Sequence, residues 1–347
     1  MNWILLTLLG CPGPNVEPLD SGNNTGVTSV QGEITIVQLG LSSSGIGEAA
    51  LIRGPDGTTV LLDVGGPGHA RQVVDAVETL VGPTLNAVIL THAHTDHIGA
   101  FEAIVDGGLT ITGPVVHRGA VDLEDANTRQ LQSVLDHPGS LSLCDDTGCP
   151  GLPWTLTMGD ASLTLFAANG HVATQDGRVE LDVPLTEENA RSLVGVVTFG
   201  DFQYVFGGDV TGGGKDTPDV ESAIAALGHV IPWVDAGQVD LVHLNHHGIS
   251  SSTSPAWVGW LLGEGRTTHG LVGATGVYLD APSEEALDAI RPYLGDGRVW
   301  VTRTGLLGGA DPVMVEANGS IHIVVDGNAN GTITLPDGSE TTFDASR

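Results

Sequence analysis

Four potential metal donors fall within six residues at His92-Ala93-His94-Thr95-Asp96-His97, directly after the apolar run Ala87-Val88-Ile89-Leu90. A short apolar run of this kind reads as a buried strand. Alternate residues leaving a strand end point the same way, so His92 and His94 can grip one ion. The turn that follows swings Asp96 and His97 toward a second position. Imidazole nitrogens and a carboxylate are the donors that a borderline divalent ion such as zinc takes.

The text around this cluster is a succession of short strands and amphipathic helices. Strand-like segments lie at Glu33 to Leu39, Glu48 to Ile52, Thr58 to Asp63 and Ala87 to Thr91. Apolar residues at Val73, Val74, Val77, Leu80 and Val81 predict a helix over 70–81, and Phe101 to Val105 adds a turn or two. The stretch from Asp122 to Trp154 reads as a helix followed by a loop that carries two cysteines. A second series of strands runs through Ser162 to Phe166, Leu193 to Phe199, Tyr204 to Phe206, Val239 to Leu244 and Gly270 to Gly273. Helices are expected at Glu221 to Leu227, Pro255 to Leu262 and Ser283 to Leu294, then strands at Val299 to Val301 and Ser320 to Val325. Strands, then helices, then the same order again, predict an α/β fold of the αββα sandwich type: two packed mixed sheets with helices on both outer faces. This domain is expected to span 33–326, followed by a C-terminal hairpin and polar tail over 327–347.

Acidic residues outnumber basic ones by 42 to 12, a formal charge of −30, and Lys215 is the only lysine. Such a surface repels a phosphate backbone, so a stable complex with long nucleic acid is not expected. No apolar run approaches the roughly 20 residues of a membrane-spanning helix. Residues 1–32 begin with a short apolar stretch meeting Leu9-Gly10-Cys11 and continue as a Pro/Gly/Asn/Ser-rich tether. That resembles a lipoprotein signal with a lipid anchor at Cys11, and it predicts export to the periplasm or cell exterior. Cys144 and Cys149, with four residues between them in a turn-rich loop, are spaced for a disulfide, which an oxidising compartment would preserve.

Thr91-His92-x-His94-x-Asp96-His97-x-Gly99 resembles the signature of the metallo-β-lactamase fold superfamily. Further matches come in that family's order. Leu61-Leu62-Asp63 followed by glycines resembles its early Asp-Gly turn, whose carboxylate supports the metal ligands from behind. Phe206-Gly207-Gly208-Asp209 resembles the strand delivering a carboxylate that bridges two metals, and Leu244-Asn245-His246-His247-Gly248 its last metal-binding histidine motif. Within the superfamily the chain is most similar to the nuclease-like domain of the competence protein ComEC family. That likeness rests on Asn189-x-x-Ser192-Leu193-Val194, on His246-His247-Gly248, on the Pro282-led helix and on Arg303-Thr304-Gly305. Three positions depart from it: Ile249 stands where a serine is usual, Asp280-Ala281 where a Gly-His is common, and His94 where many ComEC-type domains have aspartate. The last makes the cluster more like the fuller superfamily pattern, which a phosphorylcholine esterase of the same fold also shows.

The resemblance implies two ions, most simply zinc with manganese as an alternative. His92, His94 and His171 would hold the first, and Asp96, His97 and one of His246 and His247 the second, with Asp209 between them. His171 is preferred for the third position because it lies between the cluster and Asp209, and His117 is its rival. Asp63, Asn189 and Ser192 would stand behind the ligands. His243 is expected to pack in the core, and His69, His137, His229, His269 and His322 to be structural or exposed. Paired cations lower the pKa of a bound water and neutralise charge building on a substrate oxygen, so hydrolysis is the expected reaction. Asp96, His246 and His247 are the residues expected to act directly on it. A small phosphodiester or oligonucleotide is the expected substrate. A β-lactam or other amide or ester is the competing class, and a metal-bearing binding module with little catalysis is the alternative of a different kind.

Overall fold

A computed structural model describes residues 30–41, 46–121, 128–274, 281–302 and 311–347. Cys11 and the tether up to residue 29, Asp280, and Arg303-Thr304-Gly305 lie outside the described residues.

The strand Ala87–Leu90 is buried along its whole length. Its side chains alternate between two cores: Ala87 and Ile89 face one hydrophobic cluster, Val88 and Leu90 another. A strand covered on both faces needs a continuous apolar run, which explains the absence of polar alternation here. The neighbouring strand Thr59–Leu62 repeats the division, with Val60 and Leu62 on the inner side and Leu61 on the outer.

Among the described residues, sheet one has nine strands in the order Glu340–Asp344, Asn330–Thr334, Ile321–Asp326, Glu33–Gln38, Ala50–Arg53, Thr59–Leu62, Ala87–Leu90, Val115–His117 and Ser140–Ser142. It is antiparallel up to Thr59–Leu62 and parallel beyond it. Sheet two has ten strands and the same division. Gly177–Glu180, His171–Thr174, Ala161–Ala168, Val194–Phe199 and Phe202–Phe206 form its antiparallel half, with Trp154–Met158 also paired to Ala161–Ala168. Leu241–His243, His269–Val272, Val299–Val301 and Met314–Glu316 continue it in parallel.

The sheets pack face to face over a cluster that includes Ile34, Ile36, Ile52, Leu163, Phe199, Tyr204 and Trp300. On the outer face of sheet one, the helix Ala70–Val81 buries Val73, Val74 and Val77. Each such side chain contributes about 1.5–3 kcal/mol by leaving water. On the outer face of sheet two, Trp257, Val258 and Leu261 of Pro255–Leu261 and Ala286, Leu287 and Ile290 of Glu284–Ile290 do the same. Ser283 caps the latter helix by accepting from the Ala286 N–H at 3.2 Å. The architecture is therefore the αββα sandwich, and helix Ala70–Val81 has the bounds that the apolar spacing predicts.

The differences fall on polar or short elements. Within 122–154 the described helix is only Thr128–Leu135, and a strand, Ser140–Ser142, precedes the cysteine loop. The hairpin strand Gly177–Glu180 is exposed at every position, so it carries no apolar signal. From 327 onward the expected hairpin is present, but it is built into the domain rather than trailing it as a polar tail. Asn330–Thr334 and Glu340–Asp344 extend sheet one antiparallel to Ile321–Asp326, and Ile333, Phe343 and Ala345 enter the inter-sheet core. Cys144 and Cys149 form a disulfide. No helix among the described residues is long and apolar enough to cross a membrane.

Candidate metal centre

Several strands of the two sheets end at one rim, and the sequence just beyond each end supplies the chemistry. Asp63 follows Thr59–Leu62 with φ +55°, which turns its carboxylate sideways onto the next strand end. There it accepts the Thr91 N–H at 2.7 Å and the Thr91 hydroxyl at 2.8 Å. A bend at His92 and Ala93 leads from the strand end to an extended His94, and the short helix Thr95–Ile98 then carries Asp96 and His97 round the corner. From sheet two, Phe202–Phe206 continues through Gly207 and Gly208 to Asp209. Gly208 has φ +54°, and a Cβ there would lie 2.6 Å from Thr91, so only glycine lets the two sheet rims approach. Ser192 accepts the Asp209 N–H at 3.3 Å. After Leu241–His243, His246 and His247 are both left-handed, with φ +51° and +56°. Two consecutive non-glycine residues in this region cost about 1–2 kcal/mol each. The turn they form sends the two rings to different partners.

The buried carboxylate of Glu221 holds that turn from below. It accepts from Asn245 Nδ2 (2.7 Å), Thr253 N (2.8 Å) and Ser254 N (2.5 Å). Removing it strands three buried donors at about 1–3 kcal/mol each. Glu221→Ala is accordingly expected to lower folding stability by several kcal/mol, read from the denaturant midpoint. A shift of under about 1 kcal/mol would show that the loop is held otherwise.

The hydrogen-bond partners fix which ring nitrogen is bare. The Thr91 hydroxyl donates to Asp63, so its oxygen is left to accept from His92 Nδ1 at 3.1 Å. His97 Nδ1 donates to Asp63 Oδ2 at 2.8 Å, and His247 Nδ1 to the Gly273 carbonyl at 2.8 Å. In each ring the Nε2 lone pair then faces the other donors. His92 Nε2 lies 3.1 Å from His94 Nδ1 and 3.7 Å from Asp209 Oδ2. His246 Nε2 lies 3.6 Å from that same oxygen. On the other side, His97 Nε2 lies 3.2 Å from Asp209 Oδ1 and 3.9 Å from Asp96 Oδ2, and His247 Nε2 lies 3.3 Å from Asp96 Oδ2. Asp209 thus turns one oxygen to each of two groups of donors.

Lone pairs confronting carboxylate oxygens repel unless a positive charge lies between them. His97 Nε2 and Asp209 Oδ1 are buried and have no hydrogen-bond partner, so the donor set fits a divalent cation on each side of Asp209. The protonation energetics carry the same demand for positive charge. Burial by itself would lower His97, but Asp209, Asp63 and Asp96 lift it well above the usual imidazole range. Burial likewise disfavours a charged His247, yet Asp209, Asp96 and Glu48 push it up to about 9. Burial would raise Asp209, and His97, His246, His247 and His92 draw it well below the ordinary carboxylate value.

The structure thus brings together His92, His94, Asp96, His97, Asp209, His246 and His247, with Asp63 and Ser192 behind them. Asn189 lies closer in than the sequence suggests: its Nδ2 is 3.2 Å from His246 Nε2, and its buried Oδ1 has no hydrogen-bond partner. His171 is not brought in. The hairpin turn at Asn169-Gly170 pairs it across the sheet with Ala168 and Glu180, and its Nδ1 donates to the Asn169 carbonyl at 3.0 Å. It lines a separate groove with Asp145, Asp146, Thr147 and Glu180. His117 is also excluded, since both ring nitrogens are engaged, by Ser140 Oγ at 2.9 Å and the Gly119 N–H at 3.1 Å. His243 is buried, but as a polar partner of Glu48 rather than as packing. His69 and His269 are buried structural residues, accepting from Gly66 N and from Trp300 Nε1 respectively.

Two supports escape sequence reasoning. Glu48 lies within reach of His97, Asp209 and His247. Glu188, buried against Arg118, accepts the N–H of Ala93 at 2.7 Å and so pins the backbone between His92 and His94. The available signal for Glu48 is an acid opening an otherwise apolar run. Glu188 carries none, because its partner Arg118 is 70 residues away.

The chain belongs to the metallo-β-lactamase superfamily, whose family model matches residues 45–255. That superfamily consists largely of metal-dependent hydrolases, and the paired donor groups around Asp209 are in keeping with it. No curated protein matches the sequence. Among solved structures, the metallo-β-lactamase fold protein YhfI from Bacillus subtilis is similar at 14% identity and TM-score 0.44, over 79% of this chain and 98% of that one. A diphosphatase of the PhnP family is similar at 10% identity and TM-score 0.42, over 84% and 97%. The β-hydroxylase CmlA is similar at 17% identity and TM-score 0.37, over 78% and 45%.

Proposed function

We propose that this chain is a dinuclear, zinc- or manganese-dependent phosphodiester hydrolase of the ComEC type. The observation that carries the reading is Asp209, whose two oxygens face two separate donor groups. His92, His94 and Asp209 would hold one ion, with His246 and Asn189 beside them. Asp96, His97, Asp209 and His247 would hold the other. When bound, such a pair supplies an activated water and neutralises charge on a phosphoryl group.

The chain's own residues do the rest. Asp63 and the Gly273 carbonyl keep His97 and His247 in the tautomer that presents Nε2. The Asp96 side chain is 21% exposed against 2% for Asp209, so it is the carboxylate of the set placed to accept a proton at the mouth. His246 and the half-buried His94 stand beside it, where substrate arrives. Asn189 offers an amide to an incoming oxygen. Lys215 is exposed on the 212–217 loop, which neighbours the His246 turn, and we assign it the contact to a phosphate there. Its loop donates Gly212 N–H to the Ser251 carbonyl at 2.7 Å, and Ser251 Oγ touches His246 Nδ1 at 3.1 Å. In so acidic a chain a single lysine suits a small phosphodiester or an oligonucleotide end better than long duplex DNA. The Cys144–Cys149 disulfide supports an exported, oxidising setting.

The metal-loaded chain is expected to hydrolyse bis-p-nitrophenyl phosphate, and Lys215→Ala to raise its KM about two- to fivefold, the scale of one exposed charge contact. A neutral nitrophenyl ester should be indifferent to that change. Turnover of nitrocefin alone would replace the phosphodiester reading with the amide one. Stoichiometric metal with no turnover of any substrate would favour the binding module.

A further inference from the structure

Glu48 is a fully buried acid at the start of the Ala50–Arg53 strand of sheet one, and it reaches across to sheet two. Its Oε1 lies 2.5 Å from His243 Nε2 and accepts from Gln38 Nε2 at 3.2 Å. Its Oε2 lies 3.4 Å from His247 Nδ1, the nitrogen on the far side of the ring from Asp96. His243 and His247 belong to one segment, the end of Leu241–His243 and the turn beyond it, and Glu48 is clasped between them. Its backbone is tied to the cluster as well: Glu48 N–H donates to the Asp96 carbonyl at 3.0 Å, and the Glu48 carbonyl accepts Gly65 N–H at 2.9 Å.

We infer that Glu48 is a positioning residue for the second ion, an inter-sheet latch that holds His247 against Asp96 and His97 rather than a ligand in its own right. The inference rests on the two-ion reading above. The geometry separates the two roles. One carboxylate oxygen is occupied by His243 and Gln38, and the other meets the back of the His247 ring, whose lone pair points away from it. Asp63 holds His97 more directly, accepting from its Nδ1 at 2.8 Å from within sheet one. Glu48 differs in that it joins the two halves of the site, because the 92–97 cluster comes from sheet one and His247 from sheet two. The His247 Nδ1 proton goes to the Gly273 carbonyl, and Glu48 Oε2, which makes no hydrogen bond of its own, places a negative charge 3.4 Å behind that nitrogen; a carboxylate there raises the ligand's basicity and favours its direction. Losing such a partner typically costs 10–100-fold in metal affinity.

The test is a metal titration of the full chain by native mass spectrometry, backed by the visible spectrum of the cobalt-substituted protein. Glu48→Gln is expected to weaken uptake of the second ion tenfold or more while the first stays within about twofold. His243→Gln, which leaves every proposed ligand in place, should produce the same asymmetry in smaller degree, because it frees Glu48 to swing. It also carries the test if Glu48→Gln fails to fold. Loss of the second ion in Glu48→Gln with a wild-type titration and an unaltered cobalt spectrum in His243→Gln would make Glu48 a direct ligand and overturn the latch. Unchanged second-ion affinity in both variants would overturn it too, and leave the two-ion site standing. A wild-type chain that takes up no second ion would remove the two-ion reading itself.

Discussion

Asp209→Asn is expected to empty both halves of the centre at once. The substitution keeps the size of the side chain but replaces one oxygen with an amide nitrogen. That nitrogen can donate to a bare Nε2, that of His97 or of His92, and so fill with a hydrogen bond the space a cation would otherwise neutralise. Because the two oxygens serve different donor groups, neither ion keeps its full set. Hydrolysis is expected to fall on the order of 10²–10³-fold or more in kcat/KM, the scale of losing a principal electrostatic contributor. Elemental analysis after metal loading should show both ions lost together, whereas an alteration at His94 should mainly affect one. Two ions retained at wild-type affinity would mean that Asp209 does not bridge.

The metal-free chain is expected to lose stability as the pH rises from neutrality toward 10, and the metal-loaded chain is not. In the folded, metal-free site His247 stands at about 9 and His97 well above the ordinary value, whereas both return to about 6.5 on unfolding. The folded state therefore holds protons that the unfolded chain has released. The stabilisation is fully present below pH 6.5 and disappears as pH climbs through about 9. His247 alone contributes on the order of 3 kcal/mol to this slope. Asp209 and Asp96 act in the opposite limb. Their carboxylates are drawn below the ordinary value, so their contribution is present above about pH 4 and fades in acid. A cation seated among these groups displaces the imidazole protons, which flattens the alkaline limb and releases protons on uptake near pH 7. Denaturant midpoints at pH 6, 7.5 and 9.5, with and without chelator, provide the measurement. A metal-free chain equally stable at all three would contradict the charge pattern.

The apolar elements were legible because burial on both faces leaves no freedom in composition. Ala87–Leu90 and the helix Ala70–Val81 follow directly from their side chains. The histidine cluster was legible because its donors are local. His171 misled because its place in chain order matches a ligand's, while the Asn169-Gly170 turn commits it to a hairpin whose outer strand has no apolar pattern. Glu48 and Glu188 were illegible for another reason. Each acts through a partner far along the chain, His243 and Arg118 respectively, and a single carboxylate in a sequence says nothing about which distant ring or guanidinium it meets. The paired left-handed residues at His246-His247 likewise show only in three dimensions, and they explain how adjacent histidines reach different carboxylates.

The strand order also bears on how the polypeptide matures. Glu33–Gln38 pairs on one side with Ala50–Arg53 but finds its other neighbour only in Ile321–Asp326, and two more strands lie beyond that. One flank of sheet one therefore stays open until residues 321–326 have left the ribosome, and contacts of such wide separation form late.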